Sequence, residues 1–397
     1  MPDPSFFAES PESVGIDSVK LEAVFERAAR EVREGLLPSS QVAVARGGKL
    51  AGMRTVGSAR FHGVEAEASN ETVYCIFSCT KALTSAAAWL LIQEGKLRVD
   101  ERVADIVPEF GTNGKDTITV EQLFTHTAGF PMAPFAPADW NDRDKRLARF
   151  AKWRLNFEPG TRFLYHPSSS MYVVAEIIER RSGVDYREFV RERIALPLGL
   201  PDLQVGLPRE HHGRLADITH VGEALSPEDY ERMGVPVPPV TEVTEEALQQ
   251  FNRAEVREAG IPGGGGTATA GDLALFYQAL LNGGRSIDGE GIWKPETLAM
   301  AREIRTGDLT DMVFGKKANR GLGIIIAGGP DRNYRGFGHT NSELAFGHGG
   351  AGGQIAWADP ATGISIGYCT NGYDRDDVRQ ARRGIGISSR AALCALA

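Results

Sequence analysis

The chain has 397 residues, too many for one comfortable core, so about two structural units are expected. Hydrophobic residues make up 42% and charged residues 24%, the balance of a globular chain and not of a disordered one. Lys and Arg total 44 against 52 Asp and Glu, a formal charge of -8 with no basic block, which argues against nucleic acid or an anionic membrane as partner.

The first residues, MPDPSFFAESPESVGID, are acidic and Pro-rich and lack the basic start and apolar run of a secretory signal, so cytoplasmic residence is the default expectation. Residues 17–34 set Leu21, Val24, Phe25 and Ala28 at helical spacing after an Asp/Ser start. SQVAVAR and KLAGMRTVG then flank Gly47 and Gly48, a pair that tolerates the positive φ of a tight hairpin. From Ser78 the pattern becomes an Ala/Leu-rich helix that ends near Gly95. Its most apolar stretch, Ala82 to Ile92, is far short of a bilayer span.

Thr119 stands three before Gln122 as in a capping box, and helical stretches continue through AEIIERRSG and YREFVRERIALPLGL. Residues 204–260, rich in Pro, Glu and His, with GVPVPPV as their stiffest piece, read as loops over a helical unit and a candidate lid. An apolar helix is expected from about Ala270 to Asn282, and GQIAWADPATGISIGYCTNG reads as a second hairpin turning at DPATG.

Strand hairpin, helical insert, strand hairpin is the order of an α+β fold: an antiparallel sheet flanked by helices, with an inserted all-α domain. The expected boundaries are 1–84 plus 261–397 for the discontinuous sheet domain and 85–260 for the helical one. A cleft between the two is the expected place for a small-molecule site.

Ser78 and Lys81, three apart at a helix start, share a face and can bring hydroxyl and amine together. A serine hydroxyl needs a base, and a lysine serves when burial and nearby positive potential favour its neutral form. Lys81 is followed by Ala82, Leu83 and a nearly uncharged helix, and the helix start adds positive potential that would stabilise an oxyanion near Ser78. Alone the spacing is weak, since it occurs about once by chance in a chain this long, and Lys81 could simply snorkel to water.

Rival chemistries fit less well. Cys75 and Cys79 have no second pair to complete a zinc site, and Cys79 as nucleophile has only Lys81 to stabilise a thiolate. No Gly-x-Ser-x-Gly elbow and no His-Glu-x-x-His set occurs, and His211 with His212 reads as exposed loop. Gly347, Gly349 and Gly352 satisfy Gly-x-Gly-x-x-Gly but lead into a strand, so the glycines more plausibly admit another molecule's backbone or form a bulge.

In order, SCTK, ITVEQLFTHTAGFP, RFLYHPSSSMYVVAEIIERRSG, IPGGGGTATAGDLALFYQALLNGG and FGHGGAGGQIAWADPATG resemble the class C β-lactamase-like serine hydrolases over residues 11 to 373. That superfamily includes family VIII carboxylesterases, D-aminopeptidases and low-molecular-weight penicillin-binding proteins. The resemblance implies a β-lactamase/transpeptidase-like fold, Ser78 as acylated nucleophile, Lys81 as its base or proton shuttle, and Tyr165 sharing that proton traffic. It implies an oxyanion hole from the backbone N–H groups of Ser78 and Ala351, with His348, Gly349 and Gly350 as the third, substrate-binding motif. No cofactor and no metal are implied.

Two departures stand out. Pro167 replaces the asparagine of the Tyr-x-Asn segment and brings no side-chain donor for a substrate amide. His348 stands where β-lactamases keep a lysine, and near neutral pH it is a less certain cation for a substrate carboxylate. The expected activity is therefore hydrolysis of small or medium carboxylic esters through a Ser78 acyl-enzyme. D-amino-acid peptidase, β-lactamase-type amide hydrolase, acyltransferase and a catalytically silent binding protein are the alternatives. Phe135, Trp140 and Trp357 are candidate pocket aromatics, and the sequence leaves the oligomeric state open.

Overall fold

The computed structural model describes residues 2–133, 135–238, 243–284 and 289–396. Helix α1 (Ser18–Arg33), capped by the Asp17 side chain, precedes strands β1 (Ser39–Arg46), β2 (Lys49–Phe61) and β3 (Val64–Glu67). The β1–β2 turn uses Gly47 and Gly48 at φ of 62° and 78°, a left-handed pair that side-chain-bearing residues rarely adopt. After β4 (Tyr74–Cys75) and a 3-10 turn over Phe77–Cys79 comes α2 (Thr80–Gln93), which ends before Gly95. Every residue of α2 from Thr80 to Leu91 is buried, which explains its all-round apolar sequence.

A helical region follows: α3 (Val103–Ile106), α4 (Val120–Phe124), α5 (Arg143–Lys152), α6 (Ser169–Ser182) and α7 (Tyr186–Val190). The Thr119/Gln122 capping box of α4 is formed. Residues 204–260 hold more order than their composition announces: β5 (Gln204–Val205), β6 (Thr219–Val221), α8 (Pro227–Met233), α9 (Glu245–Gln249) and α10 (Ala254–Ala259). Residues 239 and 240 of GVPVPPV lie outside the described residues.

The chain then forms β7 (Gly266–Ala268), α11 (Ala270–Leu281) and α12 (Pro295–Arg302). Short strands β8 (Thr310–Asp311), β9 (Lys316–Lys317), β10 (Ile325–Ile326) and β11 (Phe346–Gly347) lead to the hairpin β12 (Ile355–Asp359) and β13 (Ile364–Thr370). Strand β14 (Gly372–Asp374) and α13 (Asp377–Ala391) end the described elements.

The main sheet has seven strands in the order β10-β11-β12-β13-β1-β2-β3, antiparallel throughout, so the N- and C-terminal segments build one sheet. Its two faces follow the period of two along β1. Val42 and Val44 join α1 (Leu21, Val24, Phe25) and α13 (Ile387, Ala391), while Ala43 and Ala45 join α11 and the larger core around α2 and α6. A small second sheet, β4-β7-β5, ties the segment before Ser78 to residues 204–205 and 266–268. No helix among the described residues is long and apolar enough to cross a membrane.

Candidate active site

Ser78 is held at the entry to α2. The residue before it, Phe77, has φ of 43°, a left-handed conformation costly for a bulky side chain and tolerated where surrounding contacts over-determine it. Those contacts are present: Thr80 Oγ1 donates to Phe77 O at 2.5 Å and accepts from Gly266 N at 2.9 Å, and the Phe251 ring packs edge-on at 5.5 Å. Ser78 stays half-buried at the wall of a cavity of about 830 Å³.

Lys81, one turn on, is fully buried and does not snorkel. Its Nζ donates to Ser78 Oγ at 3.0 Å, Pro167 O at 2.6 Å and Gly263 O at 2.8 Å. No carboxylate pairs with it among the described residues. Tyr165 Oη donates to Ser78 Oγ at 3.0 Å, and Lys81 Nζ lies 5.1 Å from the Tyr165 ring centroid. The three side chains read from the sequence thus meet at one oxygen. Pro167, where a side-chain donor is missing, contributes its carbonyl to Lys81 instead.

His348, Gly349, Gly350 and Ala351 line the same cavity as Ser78 and Tyr165. A β-carbon on Gly347 would lie 2.3 Å from Ala356 O and one on Gly350 2.4 Å from Ile76 O. At Gly347 and Gly350 the missing β-carbon lets the protein's own backbone pack close, while Gly349 is exposed at the cavity wall. Gln354 completes the join: its amide nitrogen donates to Cys75 O at 3.0 Å and Thr370 O at 2.8 Å.

His348 is buried, and burial, with Lys81 and Arg320 nearby, pushes its imidazole well below the usual range. It is neutral near pH 7 and supplies no positive charge. Its Nδ1 faces Gly349 O at 2.7 Å, which assigns the proton to Nδ1 and leaves Nε2 a buried acceptor without a hydrogen-bond partner among the described residues. Burial likewise raises the thiols of Cys75 and Cys79, the former to about 12, so neither supplies a thiolate.

The placement of Tyr165 rests on residues the sequence did not single out. His126, at φ of 58°, receives Leu164 N on its carbonyl and His166 N on its Nδ1, both at 3.2 Å, and its ring lies 4.6 Å from that of Tyr165. His166 accepts from Phe130 N at 3.1 Å through Nε2 and faces Leu164 O at 2.6 Å through Nδ1. Arg320, also missed, stands 5.7 Å from the Tyr165 ring centroid.

Of the expected pocket aromatics, Phe135 lines the cavity. Trp140 and Trp357 do not: both are buried, Trp140 against Tyr172 and Tyr186, and Trp357 with Nε1 donating to Ser388 Oγ at 3.0 Å. His212, expected in an exposed loop, is buried with Nε2 2.8 Å from Leu207 O, and His211 is exposed. No group of three His, Cys, Asp or Glu side chains suited to a metal occurs among the described residues.

A family description, Beta-lactamase, matches residues 25–387. The chain belongs to the beta-lactamase family. Among relatives, the Mycobacterium tuberculosis protein named Esterase/beta-lactamase LipL is 29% identical over 321 residues, covering 76% of this chain and 70% of that one. Among solved structures, a penicillin-binding protein homologue from Caulobacter crescentus is 30% identical with a TM-score of 0.77, covering 95% of this chain and 99% of that one. A family VIII carboxylesterase is 26% identical, again with a TM-score of 0.77 and coverage of 95% and 99%. The arrangement around Ser78 is thus set in a beta-lactamase fold, with Pro167 and neutral His348 as its departures.

Proposed function

We propose that this protein is a serine esterase that cleaves small or medium carboxylic esters through an acyl-enzyme on Ser78. The observation that carries the reading is the convergence of Lys81 Nζ and Tyr165 Oη on Ser78 Oγ, each at 3.0 Å. A neutral amine has two N–H groups and one lone pair. Lys81 Nζ donates to Pro167 O, Gly263 O and Ser78 Oγ; in the neutral amine that the reaction requires, the first two contacts would use its two N–H groups and the lone pair would face the Ser78 hydroxyl.

In the proposed sequence, Ser78 Oγ passes its proton to Lys81 and attacks the ester carbonyl, whose oxygen becomes negative near the Ser78 and Ala351 N–H groups. The acyl C–O bond then breaks, and the alcohol leaves with a proton delivered through Tyr165. Water attacks the Ser78 ester and passes a proton to the Lys81/Tyr165 pair; the Ser78 Oγ–acyl bond then breaks, Ser78 Oγ takes that proton, and the carboxylic acid is freed.

Three features support esters over amides: Pro167 offers no side-chain donor to an amide, His348 is neutral, and two of the proteins compared bear esterase in their names. Amide hydrolysis is the second reading, supported by the combined name of the LipL relative. Ser78→Ala is expected to abolish both turnover of p-nitrophenyl butyrate and covalent labelling by a fluorophosphonate. Labelling that persists at another residue would refute the assignment, and turnover of nitrocefin or a D-alanyl peptide faster than of the ester would favour the amide reading.

A further inference from the structure

Gln354 is 2% exposed, and its carboxamide spends both N–H groups and its oxygen inside the protein. Nε2 donates to Cys75 O at 3.0 Å and to Thr370 O at 2.8 Å, and Oε1 accepts from Thr370 N at 2.9 Å. A carboxamide carries a donor and an acceptor side by side, as a peptide group does. Against Thr370 it therefore acts as one more rung of the β12–β13 ladder, whose end pair is Ile355 with Tyr368. Its second N–H reaches across to β4, which pairs with β7 in the small sheet and not with the main sheet. Gln354 thus joins the two sheets where both feed the site.

The backbone of the same residue closes the turn that carries Ala351. Gly350 N donates to Gln354 O at 2.9 Å, and a β-carbon on Gly350 would stand 3.0 Å from Gln354 Cβ, so the side chain packs against that turn. Cys75, at the other end of the tie, closes the strand that leads to Ser78. In the proposed reaction the Ser78 and Ala351 N–H groups share the oxyanion, yet they arrive on segments of different sheets. Their separation is set by whatever holds those sheets together, and such donors act only when placed where the charge develops. A second tie, Cys79 Sγ donating to His348 O at 3.0 Å, is weaker, because a thiol is a poor donor.

We propose that Gln354 is a positioning residue whose carboxamide sets the separation of the Ser78 and Ala351 N–H groups that receive the oxyanion; the proposal rests on the esterase reading above. Gln354 does not line the cavity, so it acts through Cys75, Thr370 and the turn at Ala351 and not on the substrate. Acylation and deacylation each raise an oxyanion in the same place, so a misplaced pair of donors slows both steps alike. Turnover then falls while KM holds.

The test uses Gln354→Met, which keeps the bulk and removes all three hydrogen bonds, and Gln354→Asn, which withdraws the carboxamide by one methylene and serves where the first variant does not fold. Gln278→Met is the control, since buried Gln278 makes a tie of the same kind at the β1–β2 turn, to Ala45 O at 3.1 Å, Gly363 O at 2.9 Å and Gly48 N at 3.0 Å. Gln354→Met should lower kcat for p-nitrophenyl butyrate about 100-fold with KM within about threefold of wild type, and weaken 1,1,1-trifluoro-2-pentanone, whose Ser78 adduct carries the oxyanion, in parallel. Gln354→Asn should lose about tenfold or more in the same pattern, and Gln278→Met should keep both values. A kcat near that of wild type in the folded Gln354 variants, an equal loss in Gln278→Met, or a fall in kcat with unchanged ketone affinity overturns the proposal.

The rate of fluorophosphonate labelling separates this claim from the esterase reading. In that reaction the Ser78 Oγ–P bond forms, the P–F bond breaks and fluoride leaves, with negative charge on the phosphoryl oxygen, whether or not esters are turned over. Complete labelling of Ser78 at a rate lowered about 100-fold in Gln354→Met, with no ester turned over by the wild type, sustains the positioning role and removes the esterase. Ester turnover with equal labelling rates in wild type and Gln354→Met does the reverse.

Discussion

Gly350 lies so close to Ile76 that a β-carbon at 350 would stand 2.4 Å from the Ile76 carbonyl oxygen. The strand end carrying His348 to Ala351 is thereby seated on the segment that delivers Ser78. Gly350→Ala should push the two apart, at a cost of about 1 to 3 kcal/mol in stability and about 100-fold in kcat, since small misplacements at a reacting centre carry losses of that order. Gly384→Ala in α13, where the nearest atom is Ile355 Cδ1 at 3.6 Å, is the control. Equal kinetics for the two variants would show that the contact does not set the site.

Tyr165→Phe removes the hydroxyl that donates to Ser78 Oγ. If that hydroxyl hands a proton to the leaving group, ethyl butyrate turnover should fall by about 100- to 10,000-fold. A p-nitrophenyl ester, whose leaving group needs little protonation, should lose roughly tenfold less. Equal losses on the two esters would remove Tyr165 from that step.

Burial pushes the imidazole of His166 down to about 3 from its ordinary 6.5. Below pH 6.5 the unfolded chain therefore binds a proton that the folded chain refuses. The contribution is present in full above pH 6.5 and falls by about 1.4 kcal/mol per pH unit toward pH 3. His126 and His348, also held well below their usual range by burial first and nearby cations second, act in the same direction. Urea midpoints measured from pH 7 to 4 should fall steeply in the wild type and less steeply in His166→Gln. Parallel curves would contradict the assignment.

Glu176 on α6 has no exposed side-chain surface and is gripped by Arg143, Arg146 and Arg180, each at 2.8 Å. Glu176→Ala opens a void against buried Arg146, which keeps only Glu179, while Arg180 keeps Glu109 and Arg143 turns to water; the change should cost about 3 kcal/mol, read from urea unfolding. A loss below about 1 kcal/mol would mean that the arginines turn outward to water.

What could be read from the sequence was whatever repeats a local rule. Asp17, Thr119, Gly47 with Gly48, and the three-residue step from Ser78 to Lys81 each announce a cap, a turn or a shared face. Tyr165 and the His348 to Ala351 segment came from motif resemblance, and the fold brings them to one cavity with Ser78. The carbonyls of Pro167 and Gly263 that hold Lys81 have no side-chain signature, so no pattern could reveal them. Arg320 has no local signature, because its place over the Phe163 and Tyr165 rings is a tertiary property. Helix α13 was hidden by its own composition, with Gly384 and Gly386 and several arginines breaking an otherwise apolar stripe. Trp140 and Trp357 were placed at a pocket on residue type alone, and packing claimed both.

Strand β1 is hydrogen-bonded to β13, and Thr370 Oγ1 donates to Ser39 O at 2.7 Å across 331 residues of chain. During synthesis β1 must wait on the order of half a minute, at typical elongation rates, for its neighbour to leave the ribosome. Until then its edge is open to other chains. Assembly of this protein is consequently governed by a late, long-range closure, and translation pauses before residue 370 should raise aggregation more than pauses after it.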